Sequence, residues 1–268
     1  MTWIPSFLAS YVNIRKVANS DVLTHCDEWV LDSGAYSALT SGVKIDLQKY
    51  IDDCHALLAG PRPPSVIFAL DVIGDPEKSA RNADEMRRQG IDALSTFHYG
   101  SPWHYIQDVV KPGKCAFDGL VARGKGGHGT KLTFTKRLAF LEQCFARAWP
   151  VWAHGFGCCD ARLLAAVPLA SADATSWIYA LSRYGAFQYL GLNNTGIRPA
   201  SNREAFASGV NGQIGYYRRM EAEAQERWAS LLERQGYGRF RLRYVVSSKA
   251  DSVHFARYLA RVISGAPA

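Results

Sequence analysis

Three short apolar runs of this chain each end in an aspartate. Trp29-Val30-Leu31 leads to Asp32, Val66 to Leu70 leads to Asp71, and Leu169 to Ala172 leads to Asp173. Asp32 is followed by Ser33, Gly34, Ala35 and Tyr36, a turn that sets a hydroxyl and an aromatic ring beside the acid. His98, Arg123 and His154 close further apolar runs in the same way. Carboxylates and imidazoles gathered in one place serve as nucleophile and as proton donor or acceptor. Each residue alone reads as a helix cap or turn residue, but six of them at run ends point to a shared mouth.

For such residues to meet, the runs must be strands whose ends lie together. Stretches of helical period separate them: Leu47 to Leu58, Lys78 to Gln89 after the capping pair Asp75-Pro76, a short helix from Pro102, Phe134 to Phe145, and Asp160 to Val167. Further strands are expected at Leu94–Tyr99, Gly119–Ala122 and Val151–His154. A loop-rich segment with Asn193-Asn194 and Arg198-Pro199 follows Asp173, then a long amphipathic helix through Ile214 and Leu231. Leu242–Val246 and Val253–Val262 read as a last strand and a last helix. Repeated strand-helix units imply a parallel sheet with right-handed crossovers. About eight units in a chain of this size make a single-domain α/β fold, a (β/α)8 TIM-type barrel over residues 1–268, with an open doubly wound sheet as the other arrangement.

Composition narrows the function classes. The chain is 48% apolar, which excludes disorder, and its net charge of +7 favours an anionic partner such as nucleic acid. Residues Met1 to Tyr11 lack the basic and apolar regions of a leader, and no apolar run is long enough to span a membrane. The six cysteines form no C-x-x-C pair, and free thiols fit a cytoplasmic protein.

Gly124-Lys125-Gly126-Gly127-His128-Gly129 matches the spacing of a dinucleotide loop. No helix opens on its third glycine and no acid ends the next strand, so a cofactor is not expected. The segment reads as a cationic loop, with Arg123 and Lys125 as candidates for phosphate contact and a solvated loop as the other reading. His98, His104, Asp71, His154 and Asp173 are of metal-ligating types, but no H-x-H pair or H-E-x-x-H helix occurs. No G-x-S-x-G elbow is present either.

Asp32-Ser-Gly-Ala-Tyr36 resembles the D-S-G-G-[FY] signature of the tRNA-guanine transglycosylases. His154-Gly-Phe-Gly157, followed by Leu163-Leu164 and Asp173, is similar to the segment of that family leading to its nucleophilic aspartate. Asp71, His98-Tyr-Gly100 and Gly119-Leu120 fall in the family's order between them, so the resemblance covers about Trp29 to Trp177. It implies a barrel that exchanges guanine in nucleic acid for a 7-deazaguanine, such as 7-cyano-7-deazaguanine. By that resemblance Asp173 is the nucleophile and Asp32 the acid/base. Asp71, aided by Ser33, accepts hydrogen bonds from the base, and Tyr36 and His154 lie against its faces. His98 replaces a glutamine, and the backbone at Gly119, Leu120 and Gly155 meets the base edge.

Members acting on tRNA carry a zinc site of three cysteines and a histidine after the nucleophile. This chain has no cysteine after Cys159, so no metal is expected. It is closer in character to the phage and genomic-island relatives that modify DNA, which makes DNA and a free 7-deazaguanine the expected partners, tRNA the lesser one, and the (host) cytoplasm the expected location. Other readings are a nucleic-acid glycosylase or nucleosidase, a metal-dependent barrel hydrolase and an inactive nucleic-acid-binding barrel.

Overall fold

A computed structural model describes residues 6–18, 22–23, 26, 28–119, 121–123, 129–174, 186–191, 194–199, 203–234, 236 and 239–246. Its main sheet begins with β1 (Ser6–Ser10), whose small and apolar residues are all buried. After the short helix α1 (Ile14–Ala18), β2 (Glu28–Asp32) pairs with β1 in parallel, Ser10 opposite Asp32. The helices α2 (Ala35–Ser41) and α3 (Leu47–Leu58) lead to β3 (Val66–Phe68). α4 (Pro76–Arg88) starts as its sequence dictates: the Asp75 side chain accepts the Lys78 N–H, with Pro76 in the first turn.

The next crossing is split at Ser95 into β4 (Ala93–Leu94) and β5 (Thr96–His98). β4 pairs with β3, and β5 with β6 (Lys114–Asp118), which follows α5 (Ile106–Val110). A small antiparallel hairpin comes next, β7 (Val121–Arg123) against β8 (Gly129–Lys131). Then come α6 (Phe134–Ala148), β9 (Trp152–Phe156), α7 (Ala161–Ala166) and β10 (Ser171–Ala174). β11 (Ala186–Gly191) and β12 (Asn194–Pro199) form a second antiparallel hairpin, and α8 (Arg203–Arg234) precedes β13 (Arg241–Val246).

Nine parallel strands run in the order β4-β3-β2-β1-β13-β10-β9-β6-β5, with helices between them. β4 and β5, at the two ends of that order, are consecutive pieces of one path. Ala69 N–H donates to Leu94 C=O on one side of it and Ala116 N–H to Ser95 C=O on the other. The result is a nearly closed α/β TIM-type barrel with eight positions around its wall, not an open doubly wound sheet.

Side chains alternate across this wall. Leu8, Val30, Phe68, Leu94 and Ala116 fill the barrel interior, while Phe7, Trp29, Leu31, Phe97 and Phe117 face the helices. Burial on both faces explains why the strands read as continuous apolar runs. The interior register also continues upward: Ser10, Asp32, His98, Asp118, Phe156 and Asp173 extend the inward rows at the C-terminal ends of their strands.

Several expectations need correction. The barrel strand before α6 is Lys114–Asp118; the run Gly119–Ala122 gives only its end and the first arm of a hairpin. Arg123 therefore ends β7 and not a barrel strand. His154 lies in the middle of β9, one inward position below Phe156. The segment after Asp173 contains the β11–β12 hairpin, and the long helix starts earlier, at Arg203. The helix expected at Val253–Val262 lies outside the described residues, as do Leu120 and Lys125. Among the described residues no helix is long and apolar enough to cross a membrane.

Candidate active site

The mouth is built from the tops of the barrel strands. β2 delivers Asp32, and the chain then turns at Gly34, whose φ of 80° is a left-handed conformation that favours glycine. A Cβ at Gly34 would stand 2.9 Å from Val12 Cγ2 and 3.1 Å from Ser10 Oγ, so the turn also has no room for a side chain. The turn pays back by binding: Gly34 N–H donates to Asp32 Oδ2 at 3.2 Å. It also aims Ser33, which donates to Asp71 Oδ1 at 2.5 Å. The sequence-level pairing of Ser33 with Asp71 is therefore a direct hydrogen bond. Tyr36, in the first turn of α2, is 47% exposed and stands at the rim.

Asp71 and Asp118 hold His98 between them. His98 Nε2 lies 2.7 Å from Asp71 Oδ2, and Nδ1 lies 3.1 Å from Asp118 Oδ2. Burial opposes a charged imidazole, but contacts with Asp118 and Asp71 outweigh it and raise His98 to about 10. Burial likewise opposes ionisation of Asp71, but His98 and Ser33 outweigh it and hold the carboxyl below its usual range. At neutral pH this is an Asp71 carboxylate against a His98 imidazolium, braced from behind by Asp118.

Asp118 is the residue that sequence reasoning missed. Cys115-Ala116-Phe117 leading to Asp118 repeats the pattern of an apolar run closed by an acid. The adjacent run from Gly119 claimed the strand assignment and hid it. Gly119 itself is buried directly after β6, with Phe140 against its Cα.

Asp173 is held by backbone. Gly157, with φ of 60°, donates its N–H to Asp173 Oδ1 at 2.5 Å. The buried Arg137 in turn donates to Gly157 C=O, which fixes that turn from the α6 side. One carboxylate oxygen is thus engaged by a backbone donor. Below it sits His154, whose Nε2 is 3.5 Å from Asp173 Oδ1 and whose Nδ1 is 2.8 Å from Ser171 Oγ.

Burial outweighs the neighbouring carboxylate and holds His154 neutral, with the charge of Arg243 on β13 acting in the same direction. The ring is fully buried and packed by Phe68 at 5.2 Å and Phe156 at 4.7 Å between centroids. As it stands, His154 supports Asp173 and offers no open face to the mouth. Phe156 is the partly exposed ring above it. Gly155 faces the outside of the barrel, where a Cβ would meet Leu169 Cδ1 at 2.7 Å and Cys158 Cβ at 2.8 Å.

Asp32 is the most perturbed acid. Burial, followed by the charges of Asp71 and Asp173, pushes its carboxyl up to about 7. Its response to both other acids places the three within one electrostatic site. A protonated Asp32, a backbone-anchored Asp173 and a salt-bridged Asp71 can give a proton, attack a carbon and bind a donor-rich edge.

No disulfide joins the six cysteines, and Cys158 is buried at the foot of the Gly157 turn. Among the described residues no group of three His, Cys, Asp or Glu side chains is placed to hold a metal. No protein-family model matches this chain, and no curated protein matches it.

Proposed function

We propose that the barrel is a nucleic-acid guanine transglycosylase, exchanging guanine in DNA for a free 7-deazaguanine through a covalent intermediate on Asp173. The observation that carries this reading is the division of labour among carboxylates in one mouth. Asp32, pushed up to about 7, retains a proton on a large share of molecules at neutral pH, while Asp173 is oriented by the Gly157 N–H. An acid poised to give a proton beside a second, oriented carboxylate is what an oxocarbenium-like displacement at C1′ requires.

In the first half-reaction, Asp173 attacks C1′ and the bond from C1′ to the guanine nitrogen breaks. The leaving base takes the bonding electrons and receives the Asp32 proton. In the second half, Asp32, now a carboxylate, removes a proton from the incoming base. That nitrogen attacks C1′, and Asp173 leaves with the electrons of its ester bond. Two displacements at one carbon retain configuration, and the polymer backbone is never cut.

Asp71 suits the base-binding role. Ser33 and His98 each engage one of its oxygens, and each carboxylate oxygen has more than one lone pair, so Asp71 can also accept the ring N–H and exocyclic amine of a guanine-like edge. A base within a duplex cannot reach this depth, so it must be flipped or lie in a single strand. The exposed ring of Tyr36 is placed to cover such a base from the rim. Arg123 and Lys125, on and after β7, are the proposed phosphate contacts.

The test supplies labelled guanine or 7-cyano-7-deazaguanine with DNA and, separately, with tRNA. Label is expected in DNA, and Asp173→Ala is expected to abolish both incorporation and the covalent polymer adduct. Release of free base with abasic sites but no incorporation would make the protein a glycosylase. An adduct that survives Asp173→Ala would remove the nucleophile from the scheme.

A further inference from the structure

The barrel wall is open between α4 and α5. β3 ends at Phe68 and pairs with β2 and β4 but not with β5, which pairs with β6, so on this side the ladder lapses beside Asp71. A cavity of about 440 Å³ occupies this gap. Ala80 of α4 and Val109 of α5 line it from opposite sides, and Asp71 and His98 also line it. The pair that meets a base in the proposed reaction is thus reached from the flank as well as from the mouth.

The chemistry of this cavity fits a neutral, planar, hydrogen-bonding molecule. Its size falls within the roughly 300–1,000 Å³ of small-molecule sites. Arg87, one of its cations, is already committed to Asp84 at 2.8 Å and to Ser95 Oγ at 2.6 Å. With these acids in its lining, the cavity lacks the positive excess that a phosphorylated ligand needs. Thr96, which also lines it, is 7% exposed and its hydroxyl has no hydrogen-bond partner among the described residues. A buried hydroxyl without a partner is costly and is satisfied by a ligand able to donate or accept.

The double displacement supplies the need for such a passage. Once the polymer is esterified to Asp173 it covers the mouth, yet guanine must leave and a new base must arrive before the ester is resolved. We infer that the free base enters and leaves through the cavity between α4 and α5, a side passage ending at Asp71 and His98. This inference rests on the transglycosylase reading.

Two measurements test it. Association of labelled 7-cyano-7-deazaguanine is followed with wild-type protein alone and with the mouth saturated by single-stranded DNA that carries no guanine, so that the subsite at Asp71 stays open. The passage predicts association rates within about twofold of each other, whereas entry through the mouth predicts that DNA blocks association. Then Ala80→Trp and Val109→Trp fill the cavity from opposite walls, with thermal melting to confirm folding.

Each tryptophan is expected to lower kcat/KM for the free base at least about tenfold while leaving DNA affinity unchanged. Folded variants that exchange base at the wild-type rate, or DNA that blocks association, would overturn the passage and leave the chemistry standing. Wild-type protein that binds no free base and labels neither polymer would overturn both.

Discussion

The chemistry of this mouth rests on how unequally it treats its acids, and Asp32 gives the sharpest test. An acid whose folded-state pKa is raised keeps a proton that the unfolded chain releases. Between pH 3.8 and about 7 the folded state therefore binds more protons at Asp32, and stability falls as pH rises through that window. Asp32→Asn removes the charge while keeping the shape. It should be more stable than wild type at pH 8, by up to ~4 kcal/mol, with the gain vanishing near pH 4. Base exchange should fall by about 10²–10⁴, since an amide cannot hand over the proton. Guanine release by wild type should decline above pH 7 with the slope of one proton. Urea titrations of both proteins at the two pH values check the stability half, and a constant difference would show that Asp32 is not charged against its neighbours. The acids at Asp32, Asp71 and Asp173 were legible because each ends an apolar run. The state of each was not, because it depends on Ser33, His98, Asp118 and Gly157 arriving from other parts of the chain.

At the scale of elements, the sequence showed helices more clearly than strands. α4 was readable end to end because Asp75-Pro76 starts it and Gly90, at φ 84°, follows it. β1 was passed over because Ser6-Phe-Leu-Ala-Ser10 is short and ends without an acid. β6 was displaced by the similar run after it, and the β11–β12 hairpin lacks a compact turn signal within a polar segment. The glycines of His154-Gly-Phe-Gly157 looked alike in sequence but serve different ends. Gly157 donates its N–H to the mouth, whereas Gly155 lets β9 approach Leu169 on the outer face. Gly155→Ala should therefore cost about 1–3 kcal/mol through overpacking. In a Leu169→Ala background, where part of the space is vacated, the same change should cost measurably less. A double-mutant cycle by urea denaturation reads this coupling, and additive costs would place the crowding elsewhere.

The whole barrel couples its two ends through one buried charge. Arg243 on β13 is 2% exposed, lies in register with Asp173 on one side and with Ser6 on the other, and places Nη1 2.9 Å from Glu28 Oε1. Burial pulls its guanidinium below the usual arginine range, and Glu28 opposes that pull. The same charge helps keep His154 neutral beneath Asp173, so an electrostatic link runs from Glu28 at the start of β2 towards the mouth. Such a pair adds little compared with apolar packing, but it is expensive to break, because the survivor is a buried charge left with only the weaker attraction of Glu221. Arg241, 3.6 Å from Glu28 on the same strand as Arg243, adds repulsion once the carboxylate is gone. Glu28→Gln should thus destabilise the barrel by about 3–5 kcal/mol. Adding Arg243→Met should recover most of the loss, since the double variant no longer strands a buried guanidinium. Equilibrium denaturation of the two variants checks this ordering. A loss under about 1 kcal/mol for Glu28→Gln would mean that water, and not Glu28, satisfies Arg243 in the barrel.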